Sequence, residues 1–197
     1  MVEEKQIQII EKPDWVSWDE IHEVIWKAHE KNRERGINMA HASMSGDEIR
    51  ELLSDDAKMF VALCDNHVIG TAAFKEKEVR FWFGKDRFAY CCFASLLPEF
   101  MGKGVYYQFV KKREESARSM GLDKMMFNNH PDNTRVLQVA KQNGFKAVKY
   151  VVSKGAQWVY MVKWLNGCPY SDFRCGYEYY KQLLRTNLKR ITNSKEL

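Results

Sequence analysis

The stretch Arg87 to Asn128, RFAYCCFASLLPEFMGKGVYYQFVKKREESARSMGLDKMMFN, decides how this chain folds. An apolar run, Phe88 to Leu97, is closed by Pro98, and a short loop follows, Met101-Gly102-Lys103-Gly104. Val105 to Met120 is amphipathic and ends at Gly121, and a second apolar run spans Met125 to Phe127. The pattern predicts strand, turn, helix, strand. The glycines fall where the first strand turns into the helix. There the first helical turn has N–H groups without helical partners and the positive end of the helix dipole. Residues lacking Cβ let an anionic ligand approach that backbone closely. The local physics is that of a phosphate-binding turn, and a lone G-x-G carries only modest weight.

Working outward, Gln6 to Glu11 alternates around Ile7 and Ile9 as a first strand. Ser17-Trp18-Asp19-Glu20 reads as a capping box opening a helix of about five turns that ends near Gly36. His22 and His29 share its face with Trp18 and Ile25 and read as packing residues. Ser45 to Glu48 is a second capping box, ahead of Ile49, Leu52 and Leu53. The apolar segment Gly36 to Met44 reads as a loop leaning over something. Met59 to Leu63 and Val68 to Phe74 form a hairpin about Asp65-Asn66-His67, with Lys75 to Lys77 a charged interruption. Val79 to Phe83 is strand-like, with Gly84-Lys85-Asp86 as a turn. Beyond Phe127 a polar loop leads into a helix with Val136, Leu137 and Ala140 inside, capped by Gly144. Lys146 to Val152 and Trp158 to Trp164 are further strands joined through Ser153-Lys154-Gly155, and Tyr177 to Arg190 is a last helix.

The 197 residues suffice for one large domain or a domain with an extension. A formal charge of +5 with interspersed signs makes neither nucleic acid nor membrane the expected partner. Met1-Val2-Glu3-Glu4 is acidic with no apolar run after it, so no secretory leader is expected. Five cysteines, Cys64, Cys91, Cys92, Cys168 and Cys175, three of them in strand contexts, suit reduced thiols in the cytoplasm. No ligand spacing for a metal emerges.

From about Lys58 to Trp164 the chain resembles the GNAT family of acyl-CoA-dependent N-acyltransferases. Three pieces carry the resemblance: Val68-Ile69-Gly70-Thr71-Ala72; Leu96-Leu97-Pro98-Glu99-Phe100-Met101-Gly102-Lys103-Gly104-Val105; and Asn133 followed by the Val136/Val139 face and Asn143-Gly144-Phe145. It implies an α+β fold, with a mixed, mostly antiparallel sheet of about seven strands flanked by helices. The acyltransferase domain would span 1–165, with 166–197 a helical extension packed on it. Acetyl-CoA would be the co-substrate, with no metal. Its pyrophosphate would rest on Met101, Gly102, Lys103, Gly104, Val105 and Tyr106. Its pantetheine arm would lie in a gap between the fourth and fifth strands against Leu96 and Leu97, its thioester near Asn133. The acceptor would be a primary amine on a small metabolite, amino sugar or peptide, and the protein a monomer or homodimer.

Departures from the family pattern accompany these matches. Met101 stands where a side-chain donor is usual, Tyr106 where a small residue is usual, and Ala140 where many members carry a tyrosine acid. Phe88 to Leu97 lacks the carboxylate some members use as base. The candidate acid–base groups are therefore His130, ahead of the Asn133 helix; Tyr90, whose phenol is placed to protonate a thiolate; and Glu78, with Glu76, beside a strand. His41, in the loop expected over the acceptor, is the candidate substrate contact. Each has a plain structural alternative: a loop histidine, a core phenol, a charged hairpin tip, a surface histidine. An acyl relay through Cys91 or Cys92 is the least favoured route. The competing functions are a non-catalytic acyl-CoA sensor and an interaction domain that binds no CoA.

Overall fold

The computed structural model describes residues 6–36, 40–53, 57–153 and 156–193, without the side chains of 40 and 189–193. The strands are β1 (Ile7–Glu11), β2 (Lys58–Cys64), β3 (His67–Phe81), β4 (Gly84–Leu96), β5 (Lys124–Asn129), β6 (Lys146–Ser153) and β7 (Ala156–Trp164). They form one mixed sheet in the order β1-β2-β3-β4-β5-β7-β6. The helices are α1 (Trp18–Ala28), α2 (Glu30–Glu34), α3 (Gly46–Leu53), α4 (Val105–Ser119), α5 (Thr134–Gln142) and α6 (Asp172–Asn193). The α+β architecture of seven strands flanked by helices is the expected one, with a C-terminal helix in place. No described helix is long and apolar enough to cross a membrane.

Four local expectations change. The first helix is broken at His29 into α1 and α2. Lys75 to Lys77 do not interrupt a strand, because β3 runs on to Phe81, and the turn falls at Trp82-Phe83 with Gly84 opening β4. Charged residues are tolerated there because that half of β3 is largely exposed. Finally, α6 begins at Asp172, five residues before the periodicity becomes legible. The leaning loop at 37–39 and the Lys154-Gly155 turn lie outside the described residues.

Two compact units divide the chain, Met1–Glu76 with Ala89–Met120, and Lys77–Phe88 with Gly121–Leu197. In the first, Asp65 and Asn66 adopt φ of 51° and 62°, the backbone that a two-residue hairpin between β2 and β3 requires. Both capping boxes form: Glu20 N–H donates to Ser17 Oγ at 3.1 Å, and Ser45 N–H donates to Glu48 Oε2 at 2.7 Å. Ile21, Val24 and Ile25 of α1 join Ile49 and Leu53 of α3 against Met59, Val61, Leu63 and Phe93 of the sheet. Gly70 brings β3, β4 and α4 together. A Cβ there would lie 2.9 Å from Leu96 Cδ1, 3.1 Å from the Ser95 carbonyl oxygen and 3.2 Å from Phe109 Cε2.

In the second unit β7 pairs antiparallel with both β5 and β6. The α5–β6 corner is a Schellman turn: Phe145 N–H donates to Ala140 O at 3.0 Å and Gly144, at φ 84°, donates to Lys141 O at 3.0 Å. Phe81, Phe83, Phe88, Trp164 and Tyr170 make an aromatic cluster. The helix α6 is tied to β6 where Tyr150 N–H donates to Gln182 Oε1 at 3.1 Å and Lys146 pairs with Asp172 at 2.6 Å.

The break at His29 has a chemical cause. His29 is only 7% exposed, with Nδ1 2.9 Å from Asn32 Nδ2 and Nε2 3.3 Å from both His41 Nε2 and Ser95 Oγ. Burial, then the neighbouring His41 and Arg33, lowers its pKa to about 4. Burial likewise lowers that of His41 to about 4.

Two outcomes are expected. Gly70→Ala forces a methyl against backbone and two side chains and should cost about 1–3 kcal/mol, read as a melting temperature several degrees lower. The histidines give a pH dependence with a definite sign. The unfolded rings protonate near 6.5, the folded ones near 4. Their contribution is complete above pH 6.5 and is lost as pH falls toward 4, by at most ~3 kcal/mol for His29. Glu48, held below the usual range by the Ser45 backbone and side-chain hydrogen bonds, contributes loss only at lower pH. Urea unfolding between pH 7.5 and 4.5 checks this, and His29→Gln should flatten the curve.

Candidate functional site

The site grows from the last residues of β4. Phe93 has φ 50°, left-handed backbone that a bulky residue rarely adopts, so the strand is kinked there as at a bulge. Cys92 and Phe93, though consecutive, both pack on the same core, as a kinked strand allows. The freed Phe93 carbonyl accepts from Thr71 Oγ1 at 2.8 Å. Leu97 N–H donates to Ile69 O at 2.9 Å, and Ile69 is the extra residue of β3 where Leu63 pairs with Val68 and Ala62 with Gly70.

Pro98-Glu99-Phe100 then make one 3-10 turn, and Met101 to Gly104 are exposed. Gly102 (φ 84°) and Gly104 (φ 75°) are left-handed on either side of Lys103, and no atom lies within 4 Å of where their Cβ atoms would be. Alternating backbone of this kind turns successive N–H groups into one concavity. Gly104 occupies the N-cap of α4 and no side chain caps that end. Early amides of α4 are therefore available to an anion, with the helix dipole behind them. Lys103 adds a cation, its Nζ 5.0 Å from the Phe100 ring centre. Tyr106 does not obstruct the loop: its ring turns inward, its hydroxyl hydrogen-bonded to the buried Arg113.

Ser95 connects this strand to the histidines. Its Oγ, 7% exposed as a residue, meets His29 Nε2, and the His41 ring stands edge-on to Phe93 with centroids 5.7 Å apart. Side chains from the α1–α2 junction, from the 3-10 turn Ala40–Ser43 and from β4 converge here.

The remaining candidates are distributed as follows. Tyr90 is half-buried on β4. Cys91 is buried and Cys92 half-buried, and loss of solvent around the Cys92 thiol pushes it up to about 12, which keeps it protonated and unsuited to an acyl relay. Glu78 is exposed and ion-paired with Lys85. In the second unit, His130 Nδ1 accepts from Asp132 N–H at 3.3 Å and lies 3.6 Å from the Asp132 carboxylate. Asn133 Nδ2 donates to Asn129 Oδ1 at 3.3 Å. Ala140 is fully buried under α5. An open cleft of about 630 Å³ lies elsewhere in the first unit, lined by Glu11, Lys12, Asp47 and Arg50 among others and by no residue of the loop or of β4. Sequence reasoning placed His41 over the acceptor but took His29 as packing and passed over Asn32 and Ser95. The only available signal was a polar pair, His29 and Asn32, within a helical stretch.

Comparisons with known proteins bear on the family and the fold. The sequence model of the Acetyltransferase (GNAT) family matches residues 18–145. Among curated proteins, none matches the sequence significantly. A putative GNAT-family acetyltransferase from Desulfovibrio desulfuricans superposes with a TM-score of 0.66 at 10% identity, over 81% of this chain and 99% of that one. PaiA N-acetyltransferase from Thermoplasma acidophilum, solved in complex with coenzyme A, gives 0.57 at 18% identity over 81% and 99%. A GNAT-family acetyltransferase from Elizabethkingia anophelis with acetyl-CoA bound gives 0.56 at 11% identity over 81% and 98%. With the match running from α1 to the end of the α5 corner and the same fold throughout, the chain belongs to the GNAT acetyltransferase family.

Proposed function

We propose that the protein transfers an acetyl group from acetyl-CoA to the primary amine of an acceptor by direct attack. The observation that carries this reading is the loop of two left-handed glycines feeding the uncapped start of α4, with open space where side chains would stand. The pyrophosphate rests on the amides of Gly102 to Tyr106, with Lys103 supplying charge and Met101 flanking. The pantetheine arm runs back along Leu97 and Leu96, and Asn133 belongs to the acyl end. Two of the solved relatives hold acetyl-CoA or CoA, which supports the same co-substrate here.

The chemistry is modest in its demands. Holding thioester and amine together supplies orientation, and backbone N–H groups steady the oxyanion. Tyr90 is the candidate donor to the departing thiolate, with Glu78 and His130 candidate proton acceptors. Free cysteines and the use of acetyl-CoA suit the cytoplasm. A second reading, an acyl-CoA sensor without turnover, draws on Met101 and Ala140.

Acetyl-CoA at a hundred times its Kd should stabilise the protein by about 2.7 kcal/mol, a melting shift of several degrees. Gly104→Asn tolerates the left-handed backbone but fills the space before the amides. It should weaken acetyl-CoA binding at least tenfold while barely moving the unliganded melting temperature. Lys103→Ala should weaken binding severalfold, more at low salt than at high. Unchanged binding in both variants would place the phosphates elsewhere. Stabilisation without CoA release across a panel of primary amines would favour the sensor.

A further inference from the structure

We propose that His41 takes the proton released by the acceptor amine, passing charge to His29, with Asn32 and Ser95 holding the pair in register. The proposal rests on the transferase reading and adds to it the proton acceptor and a place on β4.

The heavy atoms define the relay. His41 Nε2 and His29 Nε2 are 3.3 Å apart, His29 Nδ1 faces the Asn32 amide at 2.9 Å, and Ser95 Oγ is 3.3 Å from His29 Nε2. The two ends of an Asn amide occupy nearly the same positions. With the Asn32 oxygen toward His29, its Nδ1–H donates to that oxygen. The single lone pair of His29 Nε2 is then shared between His41 Nε2–H and the Ser95 hydroxyl, both at 3.3 Å. In that arrangement every contact joins a donor to an acceptor, and Nδ1 of the half-buried His41 carries the lone pair. A proton arriving at His41 Nδ1 lets the Nε2 proton move to His29 Nε2, and Asn32 steadies the resulting imidazolium through Nδ1–H.

Packing alone does not account for the cluster. Burying polar rings costs free energy that an apolar pair of the same shape would not incur. The groups come from separate elements and meet at β4 beside Phe93, where the ladder is kinked. An arm running from the glycine loop back along Leu97 passes Ser95 and then Phe93. Burial keeps both rings neutral at pH 7, so His41 holds its lone pair there, and the same burial makes the imidazolium a transient rather than a resident species. Arg33 on α2 is the charged group that bears on His29, and it disfavours a resident proton there.

The step balances. The amine nitrogen forms a bond to the thioester carbonyl carbon, and its proton goes to His41. The carbon–sulfur bond breaks with its electron pair on sulfur, the thiolate takes the Tyr90 phenol proton, and the proton held by the histidine pair returns through solvent to the phenolate, giving the acetamide and CoA–SH.

The test uses the full chain, acetyl-CoA, and two nucleophiles of different basicity: 2-aminoethanol-type primary amines, protonated at neutral pH, and hydroxylamine, largely unprotonated. General-base catalysis is worth about 10²–10⁴-fold. His41→Gln should lower kcat with the alkylamines at least 100-fold, with a loss for hydroxylamine at least tenfold smaller and KM for acetyl-CoA unmoved. His29→Leu removes the second acceptor. It should lower kcat and move the acid limb of the kcat profile to lower pH, with partial rescue by His29→Gln. Nitrogen-detected NMR of the imidazoles should show His41 as the Nε2–H tautomer. A His41 Nδ1–H tautomer, or His41→Gln turning over alkylamines like the parent, overturns the proposal. So does a dominant loss in His130→Gln or Glu78→Gln with His41→Gln active. If acetyl-CoA stabilises the protein yet neither nucleophile is acetylated, the relay falls and cofactor binding stands. If acetyl-CoA does not stabilise it, the transferase reading itself falls.

Discussion

The close approach of backbone to backbone at Gly70 is the constraint on which the first unit depends. No Cβ fits there, because the Ser95 carbonyl, Leu96 and Phe109 already occupy the space. That contact sets β4 against β3 so that Leu97 N–H reaches Ile69 O, and the strand ends there. The position of Pro98, of the glycine loop and of the first turn of α4 all follow from where β4 stops. The same contact fixes Ser95, and so the point at which the histidines meet the sheet.

Departures from regular secondary structure are concentrated where the chemistry is assigned. The left-handed Phe93, the extra residue Ile69, the left-handed Gly102 and Gly104 and the helix break at His29 all lie on or against the end of β4. Bulges and kinks re-aim side chains and release backbone groups from the ladder. Here the released groups are held by side chains, as Thr71 holds the Phe93 carbonyl. Elsewhere among the described residues of the unit, both capping boxes and the hairpin obey local rules and supply the rigidity that such irregularities need.

Charge is distributed with the same economy. The loop carries one cation, Lys103, beside amides that need no side chain to bind an anion. Arg113, on the buried face of α4, serves Tyr106 rather than the loop. The thiols of the buried Cys91 and the half-buried Cys92 are held protonated and remain packing groups. The neutral polar groups left at β4 include Thr71, Ser95 and His29, all buried, with the half-buried His41 beside them.

Much of the fold was legible in the sequence because it is governed by neighbours along the chain. Capping boxes, the Asp65-Asn66 turn, the Gly144 corner and the strand–loop–helix of Arg87 to Asn128 each state their structure within a few residues, and the glycine loop does so as well. The site at β4 was only half legible. Nothing in the spacing of His29, Asn32, His41 and Ser95 announces that they meet, since up to 66 positions separate the partners. The helical period ran straight through His29 because apolar spacing does not register a break made by polar contacts. Likewise the positive φ at Phe93 has no local signal, for a bulky residue takes that backbone only when packing on both sides of the strand requires it. The sequence by itself determined the elements and the phosphate-type turn. The tertiary structure decided which polar side chains face one another, because that depends on how separate elements are pressed together and not on any one of them.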